Sequence, residues 1–205
     1  LAEGETITFS YTVTATDSQG DTATDTVSFT ITGTNAAPTV SATAAAAIVE
    51  AADASAQDLA DSGTVDFDDI DANDVVDISF ASDGDPVWSD GTLDPALAAQ
   101  LVAGFSVTTV TDAAAPGSTP WSYTVNDANL DFLAAGETIT FSYTVTATDG
   151  SSATATDTVS FTITGSNDAP TIGALTDSVG EDGPTYSQNL LEGAADVDAG
   201  TTLSV

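Results

Sequence analysis

The sequence predicts an all-β chain of tandem antiparallel β-sandwiches. Three observations carry that expectation. Residues 1–40 recur without a gap at residues 133–172, with 32 of the 40 positions identical. Within the recurring block, apolar residues alternate strictly with Ser and Thr. Clusters of Gly, Asp, Asn and Pro punctuate the rest of the chain at short intervals. An offset of 132 residues is one whole domain, not a small solenoid unit. The chain therefore reads as a window on a longer array: the end of one repeat over 1–37, a complete repeat over 38–169, and the start of another over 170–205.

The recurring block is two strands and a hairpin. In its second copy Ile139, Phe141, Tyr143, Val145 and Ala147 share one parity, and Thr138, Thr140, Ser142, Thr144 and Thr146 share the other. That is the period-2 pattern of a half-buried strand. Val159, Phe161 and Ile163 alternate with Ser160 and Thr162 in the same way. Asp149-Gly150-Ser151-Ser152 between them is a turn composition. Only at this tip do the copies differ over several consecutive residues, with Ser18-Gln19-Gly20-Asp21 in the first, as an exposed turn permits.

The remaining strands of the complete repeat are expected at Thr39–Ala42, Gly63–Phe67, Val76–Ala81, Phe105–Val110 and Trp121–Asn126. One helical segment is expected over Asp94–Val102. Asp94 suits its N-cap, Pro95 its first turn and Gly104 its stop. About seven short strands suggest Greek-key connections, with residues 83–120 as an elaboration. Boundaries fall at Gly33-Thr34-Asn35-Ala36-Ala37-Pro38 and Gly165-Ser166-Asn167-Asp168-Ala169-Pro170. Linkers this short bring adjacent domains nearly into contact.

Composition removes whole classes of function. The chain has no Lys, Arg, His, Cys or Met, against 32 Asp and Glu, for a formal charge of −32. Nucleic-acid backbones and anionic membrane surfaces need cationic partners. A Ser-His-Asp or Cys-His nucleophile needs His. Cys/His zinc sites and disulfides need residues that are absent. No run of about 18 apolar residues offers a membrane span. Carboxylate chemistry remains: hard cations such as calcium, or an acid–base pair.

The acids are unevenly placed. Residues 58–77 carry eight: Asp58, Asp61, Asp66, Asp68, Asp69, Asp71, Asp74 and Asp77. Asp69-Ile70-Asp71-Ala72-Asn73 is matched in the next repeat by Asp196-Val197-Asp198-Ala199-Gly200. On extended chain, residues i and i+2 face the same side. Two carboxylates held so repel unless a cation lies between them; the bland alternative is a solvated acidic loop.

The order of these motifs resembles the VCBS-type and cadherin-like repeats of giant bacterial (RTX-type) surface adhesins, and cadherin repeats themselves. Gly-Ser-Asn-Asp-Ala-Pro over 165–170 resembles the cadherin junction. Glu50 after Ile48-Val49, Asp69-x-Asp71, Leu130-Asp131 and Ala147-Thr148-Asp149-Gly150 resemble its other signatures, and Glu181-Asp182 begins a further set. The resemblance implies immunoglobulin-like/cadherin-like sandwiches with Ca2+ at each junction. It implies Glu50, Asp131, Asn167, Asp168, Asp196 and Asp198 as ligands at the second junction. At the first it implies Asn35, Asp69, Asp71 and Asp149. The chain departs in two places. Ala36 stands where the second junction has Asp168, and Phe132-Leu133 follows Asp131 in place of Arg-Glu.

The expected role is a calcium-stiffened extender of an extracellular, cell-surface adhesin or biofilm filament, with no enzymatic activity. Its partners would be neighbouring repeats of the same chain and other copies in a filament. One alternative is a carbohydrate-binding module using Trp88, Trp121 and Tyr123, although Trp121 and Tyr123 are more in keeping with a core. The others are a two-carboxylate glycosidase and general halophilic acidity.

Overall fold

The computed structural model describes residues 1–53, 55–71, 73–178, 180–183 and 187–205, with the backbone alone at 126–128. The chain opens with β1 (Thr6–Thr16) and β2 (Thr22–Thr32), paired antiparallel over all 11 residues of each. After the first linker come β3 (Thr39–Ala42), β4 (Ile48–Val49), β5 (Gln57–Asp68), β6 (Val75–Ser82) and β7 (Val87–Trp88). Helix α1 (Pro95–Ala103) precedes β8 (Phe105–Val107), β9 (Val110–Ala114) and β10 (Gly117–Ala128). The second copy of the hairpin is β11 (Thr138–Asp149) and β12 (Thr154–Thr164). A short pair, β13 (Thr171–Ile172) and β14 (Ala194–Ala195), follows the second linker.

Residues 38–165 form a two-sheet sandwich. One sheet runs β3-β5-β10-β8; the other runs β4-β12-β11-β6-β9, with β7 also paired to β11. Among the described residues, every pairing is antiparallel except β4 with β12, which is parallel through Ile48↔Ile163 and Val49↔Thr164. The incoming chain thus starts in one sheet as β3 and crosses to the other as β4. This immunoglobulin-like arrangement is the expected all-β fold class.

The inward parity of each strand builds one core. Phe105 stacks on Tyr143 with centroids 4.2 Å apart, and Phe141 stacks on Phe161 at 5.2 Å. Trp121 and Tyr123 are enclosed there and present no face to a sugar. The Tyr143 hydroxyl donates to Val102 O at 2.7 Å, which anchors α1 over the core. Burial pushes the Tyr143 phenol up to about 12 and raises Tyr123 as well. The Asp94 side chain caps α1 as expected, accepting from the amides of Ala96 and Leu97 at 2.9 and 3.3 Å.

Three expectations need correction. The strand expected over Phe105–Val110 is two strands in different sheets. Phe105 and Val107 face the core from β8, while β9 pairs with β6 across the sandwich. The parity slip from Val107 to Val110 marks the crossing. β5 extends well before Gly63, beginning at Gln57, and β10 begins at Gly117 rather than Trp121. Gly117 lies so close over the Phe67 ring that a Cβ there would sit 2.4 Å from it, and a Cβ at Gly63 would sit 2.6 Å from Trp121.

The β1–β2 hairpin shows what its sequence needs. It is folded like β11–β12, down to a Phe9–Phe29 stack at 5.3 Å. Yet Tyr11 is 62% exposed, while its equivalent Tyr143 is 1% exposed. β5, β8 and β10 supply the second sheet that covers the later copy.

Candidate metal centres at the repeat junctions

Both ends of the complete sandwich carry clustered carboxylates. At the end facing the second linker, Glu50, Asp131 and Asp168 each place one carboxylate oxygen within 4.8 Å of the others, and all three are buried. Glu50 follows β4 and is pinned because its N–H donates to Thr164 O at 2.9 Å. Asp131 sits just after β10, beside buried Leu130 and Leu133. Asp168 comes from the linker after β12.

Their hydrogen bonds leave the centre unbalanced. Glu50 Oε2 accepts from Ser166 N and Ser166 Oγ, both at 2.8 Å. Gln57 Nε2 donates to Glu50 Oε1 at 3.1 Å and to Asp131 Oδ1 at 3.4 Å. Asp168 is 1% exposed, and neither of its carboxylate oxygens has a hydrogen-bond partner. Burial first, then Glu50, Asp131, Asp198 and Asp53, push the Asp168 carboxyl above the usual range. Burial also raises Asp131, against the bond from Gln57, with Glu50 and Asp53 adding to the rise.

The following segment closes over this centre. Asp198 Oδ2 accepts from Asp168 N at 3.1 Å, and its Oδ1 is buried without a partner. Asp196 Oδ1 accepts from Asp198 N at 3.0 Å, so Asp196 orients Asp198. Ala199 N donates to Phe132 O at 2.9 Å. Asn167 is exposed and donates from Nδ2 to Asp168 O. Of the six residues expected at this junction, Glu50, Asp131 and Asp168 come together, Asp198 reaches them through the Asp168 backbone, Asp196 touches Asp198 alone, and Asn167 is exposed.

The first junction repeats the scheme. Asp71 Oδ2 accepts from Ala36 N at 2.7 Å, and Asp69 Oδ1 accepts from Asp71 N at 2.9 Å. These are the same two bonds that Asp198 and Asp196 make. Asn35 Nδ2 donates to Asp149 Oδ2 at 2.9 Å, while Asn35 Oδ1 and Asp69 Oδ2 are buried without partners. Asp149 Oδ1 accepts from Ser151 N and Ala153 N, which holds the β11–β12 turn. Asp69, Asp74 and Asp149 place oxygens within 4.8 Å of one another. Ala72, between Asp71 and Asn73, lies outside the described residues. Burial, then Asp69, Asp71, Asp149 and Glu5, raise the Asp74 carboxyl.

Sequence reasoning missed Asp74, Gln57 and Ser166. Asp74 belonged to the acidic run but to no recognised motif. Gln57 and Ser166 are neutral and gave no charge signal.

The donor set suits a hard cation. It is all oxygen, drawn from carboxylates, and Asp168 buries two lone-pair-bearing atoms that nothing else satisfies. Zinc chemistry would call for Cys or His, which the chain lacks.

Fold and geometry together define an all-β chain with one complete two-sheet sandwich and a cluster of carboxylates at each of its ends. No protein-family model matches the sequence, and no curated protein matches it. Among solved structures, the ASH/PapD-like domain of human CEP192 is similar at 11% identity, covering 63% of this chain and 86% of that one, with a TM-score of 0.42. AggA, the major subunit of aggregative adherence fimbriae type I from Escherichia coli, is similar at 14% identity over 62% and 93%, with a TM-score of 0.37. The zebrafish RET cadherin-like domains 1 to 4 are similar at 12% identity over 90% and 39%, with a TM-score of 0.36.

Proposed function

We propose that this chain is a calcium-stabilised extender of a large extracellular adhesin or matrix filament, of the VCBS-type and cadherin-like kind. One observation carries the reading. Asp168, in the linker between repeats, is closed from solvent with both oxygens unpartnered, beside Glu50 and Asp131. A buried, unpaired carboxylate is costly unless a cation or proton joins it. Calcium supplies that charge. Glu50, Asp131 and Asp168 would hold it, with Asp198 from the next segment. Ligands from two repeats and their linker would then move as one body. The chain's role is mechanical, and it needs neither catalysis nor nucleic acid. Neighbouring repeats and other copies of the filament are its partners.

The test is a calcium titration followed by melting and by small-angle scattering. Binding to the folded state alone adds about 2.7 kcal/mol when the ion is a hundredfold above its Kd. Extracellular calcium modules often bind at roughly 10⁻⁴ to 10⁻³ M. The expected result is a higher melting temperature and a stiffer, longer particle in millimolar calcium, both reversed by chelator. Identical melts and scattering with and without chelator would refute the reading.

A further inference from the structure

The centre at the second junction contains one side-chain donor that touches two of its acids. Gln57 is the first residue of β5, half-buried, and its backbone is set by pairing with Ala128 across a bulge in β10. Its Oε1 accepts from Ala51 N at 2.8 Å. That bond fixes which end of the amide faces the acids, and it is the NH2 end. Nε2 then lies 3.1 Å from Glu50 Oε1 and 3.4 Å from Asp131 Oδ1. Those two residues both place an oxygen within 4.8 Å of Asp168. The chain has no Lys, Arg or His, so no side-chain cation can serve the centre.

We propose that the Gln57 amide is a built-in stand-in for the cation: it ties Glu50 to Asp131 in the metal-free centre and must give way when calcium enters. The inference rests on the calcium reading above. Its physical basis is the mismatch between the two occupants. Calcium takes oxygen ligands, not amide nitrogen. The NH2 group presents its positive hydrogens where the ion would bring its own charge. Gln57 can offer Oε1 instead only by surrendering the Ala51 N–H. Either movement breaks bonds that the metal-free chain possesses. Gln57 therefore stabilises the empty state and lowers affinity for the ion. The arrangement recurs in sequence. Glu50 and Gln57-Asp58-Leu59 are matched at the same spacing by Glu181 and Gln188-Asn189-Leu190.

A residue with a merely structural role would lower stability and leave affinity the same or weaker. A stand-in moves the two in opposite directions. Gln57→Met keeps length and removes the donors; Gln57→Glu removes the donors and adds ligand oxygens. Both are made in the full 205-residue chain. Calcium binding is measured by calorimetry, and melting is measured in chelator and in calcium. In chelator, both variants should melt lower than wild type, Gln57→Glu the lower of the two. In calcium, both should bind more tightly, Gln57→Met by roughly tenfold, or ~1.4 kcal/mol. Gln57→Glu, stabilised by calcium, keeps the test readable if Gln57→Met folds poorly. Wild type that binds calcium, with variants that bind it equally or more weakly, overturns the stand-in alone. So does an unchanged melt in chelator. Wild type that binds no calcium overturns the calcium reading itself, and the stand-in with it.

Discussion

The main-chain N–H of Asp168 donates to Asp198 Oδ2 at 3.1 Å across the second junction. The Ala36 N–H makes the matching bond to Asp71 Oδ2 at the first. The backbone latch is common to both junctions, and the linker carboxylate belongs to one. That separates docking of a repeat from charge at its edge.

Replacing Asp168 should therefore have two opposite effects. Asp168→Asn removes a buried charge with no partner, a group that costs roughly 1–3 kcal/mol or more when unsatisfied. The metal-free chain should melt higher than wild type. The calcium-induced gain should shrink sharply, since a ligand charge is lost. Melting curves in chelator and in calcium check both halves. A variant that melts lower in chelator would show that Asp168 is already satisfied without metal.

The two junctions should differ in stiffness. Ala36 gives the first junction its latch but no carboxylate, whereas Asp168 gives the second both. Scattering from two-domain segments at matched calcium should find the second junction straighter and less variable. Ala36→Asp should bring the first towards it. Equal flexibility at both would mean that Asp74 or another acid makes up the difference.

Acid should stabilise the metal-free protein. Asp74, Asp131 and Asp168 are all raised, each chiefly by burial and then by neighbouring acids. A group raised in the folded state contributes fully below its unfolded pKa, near 4 for a carboxylate, and loses that contribution as pH climbs through the folded value. Asp83 runs the other way. Bonds from Ser142 and Thr144 lower it, so its contribution is lost as pH falls through its folded value. Three raised groups outnumber one lowered group. In chelator the melting temperature should rise as pH is taken from neutral towards the carboxylate range. In calcium the trend should flatten, because protons and the ion compete for the same oxygens. A steady fall in melting temperature from neutral to about pH 5 in chelator would contradict this assignment.

Equivalent residues in the two hairpins should respond unequally. Phe161 is enclosed by Tyr123, Trp121, Phe105 and Phe141, so Phe161→Ala should cost about 3–5 kcal/mol. Phe29 has the same neighbours in sequence but is exposed on one face, and Phe29→Ala should cost well under that. Denaturant titration of the two variants makes the comparison. Equal losses would mean that the β1–β2 face is covered in solution.

The sequence made the hairpins, the linkers and the Asp-x-Asp pairs legible for simple reasons. Strict alternation from Thr138 to Thr148 admits only a half-buried strand. Near-identity at an offset of 132 pairs the two hairpins and their linkers residue by residue. The crossing between β8 and β9 was harder, because a strand that changes sheets keeps its β-propensity and shifts only its parity, at Val107 to Val110. Asp74 joins Asp69 and Asp149 through a backbone reversal at Asn73, whose φ of 67° is left-handed. An acid count cannot see such a turn. Gln57 reaches the site from a strand start far from the linker in sequence, and no charge pattern flags an amide.

The parallel pairing of β4 with β12 bears on how the proposed extender would carry tension. Load applied along the chain would enter the complete repeat through β3 and β4 and leave through β12 and the second linker. Because β4 and β12 run the same way, pulling the domain's ends apart slides one strand along the other, so their bonds are strained together rather than peeled in turn. Glu50 extends β4, Ser166 extends β12, and the two are tied by Ser166 N and Oγ on one carboxylate oxygen. The ion proposed for this centre would rivet the same splice. Chelation is then expected to lower the force at which the domain itself gives, as well as to loosen the hinge beside it.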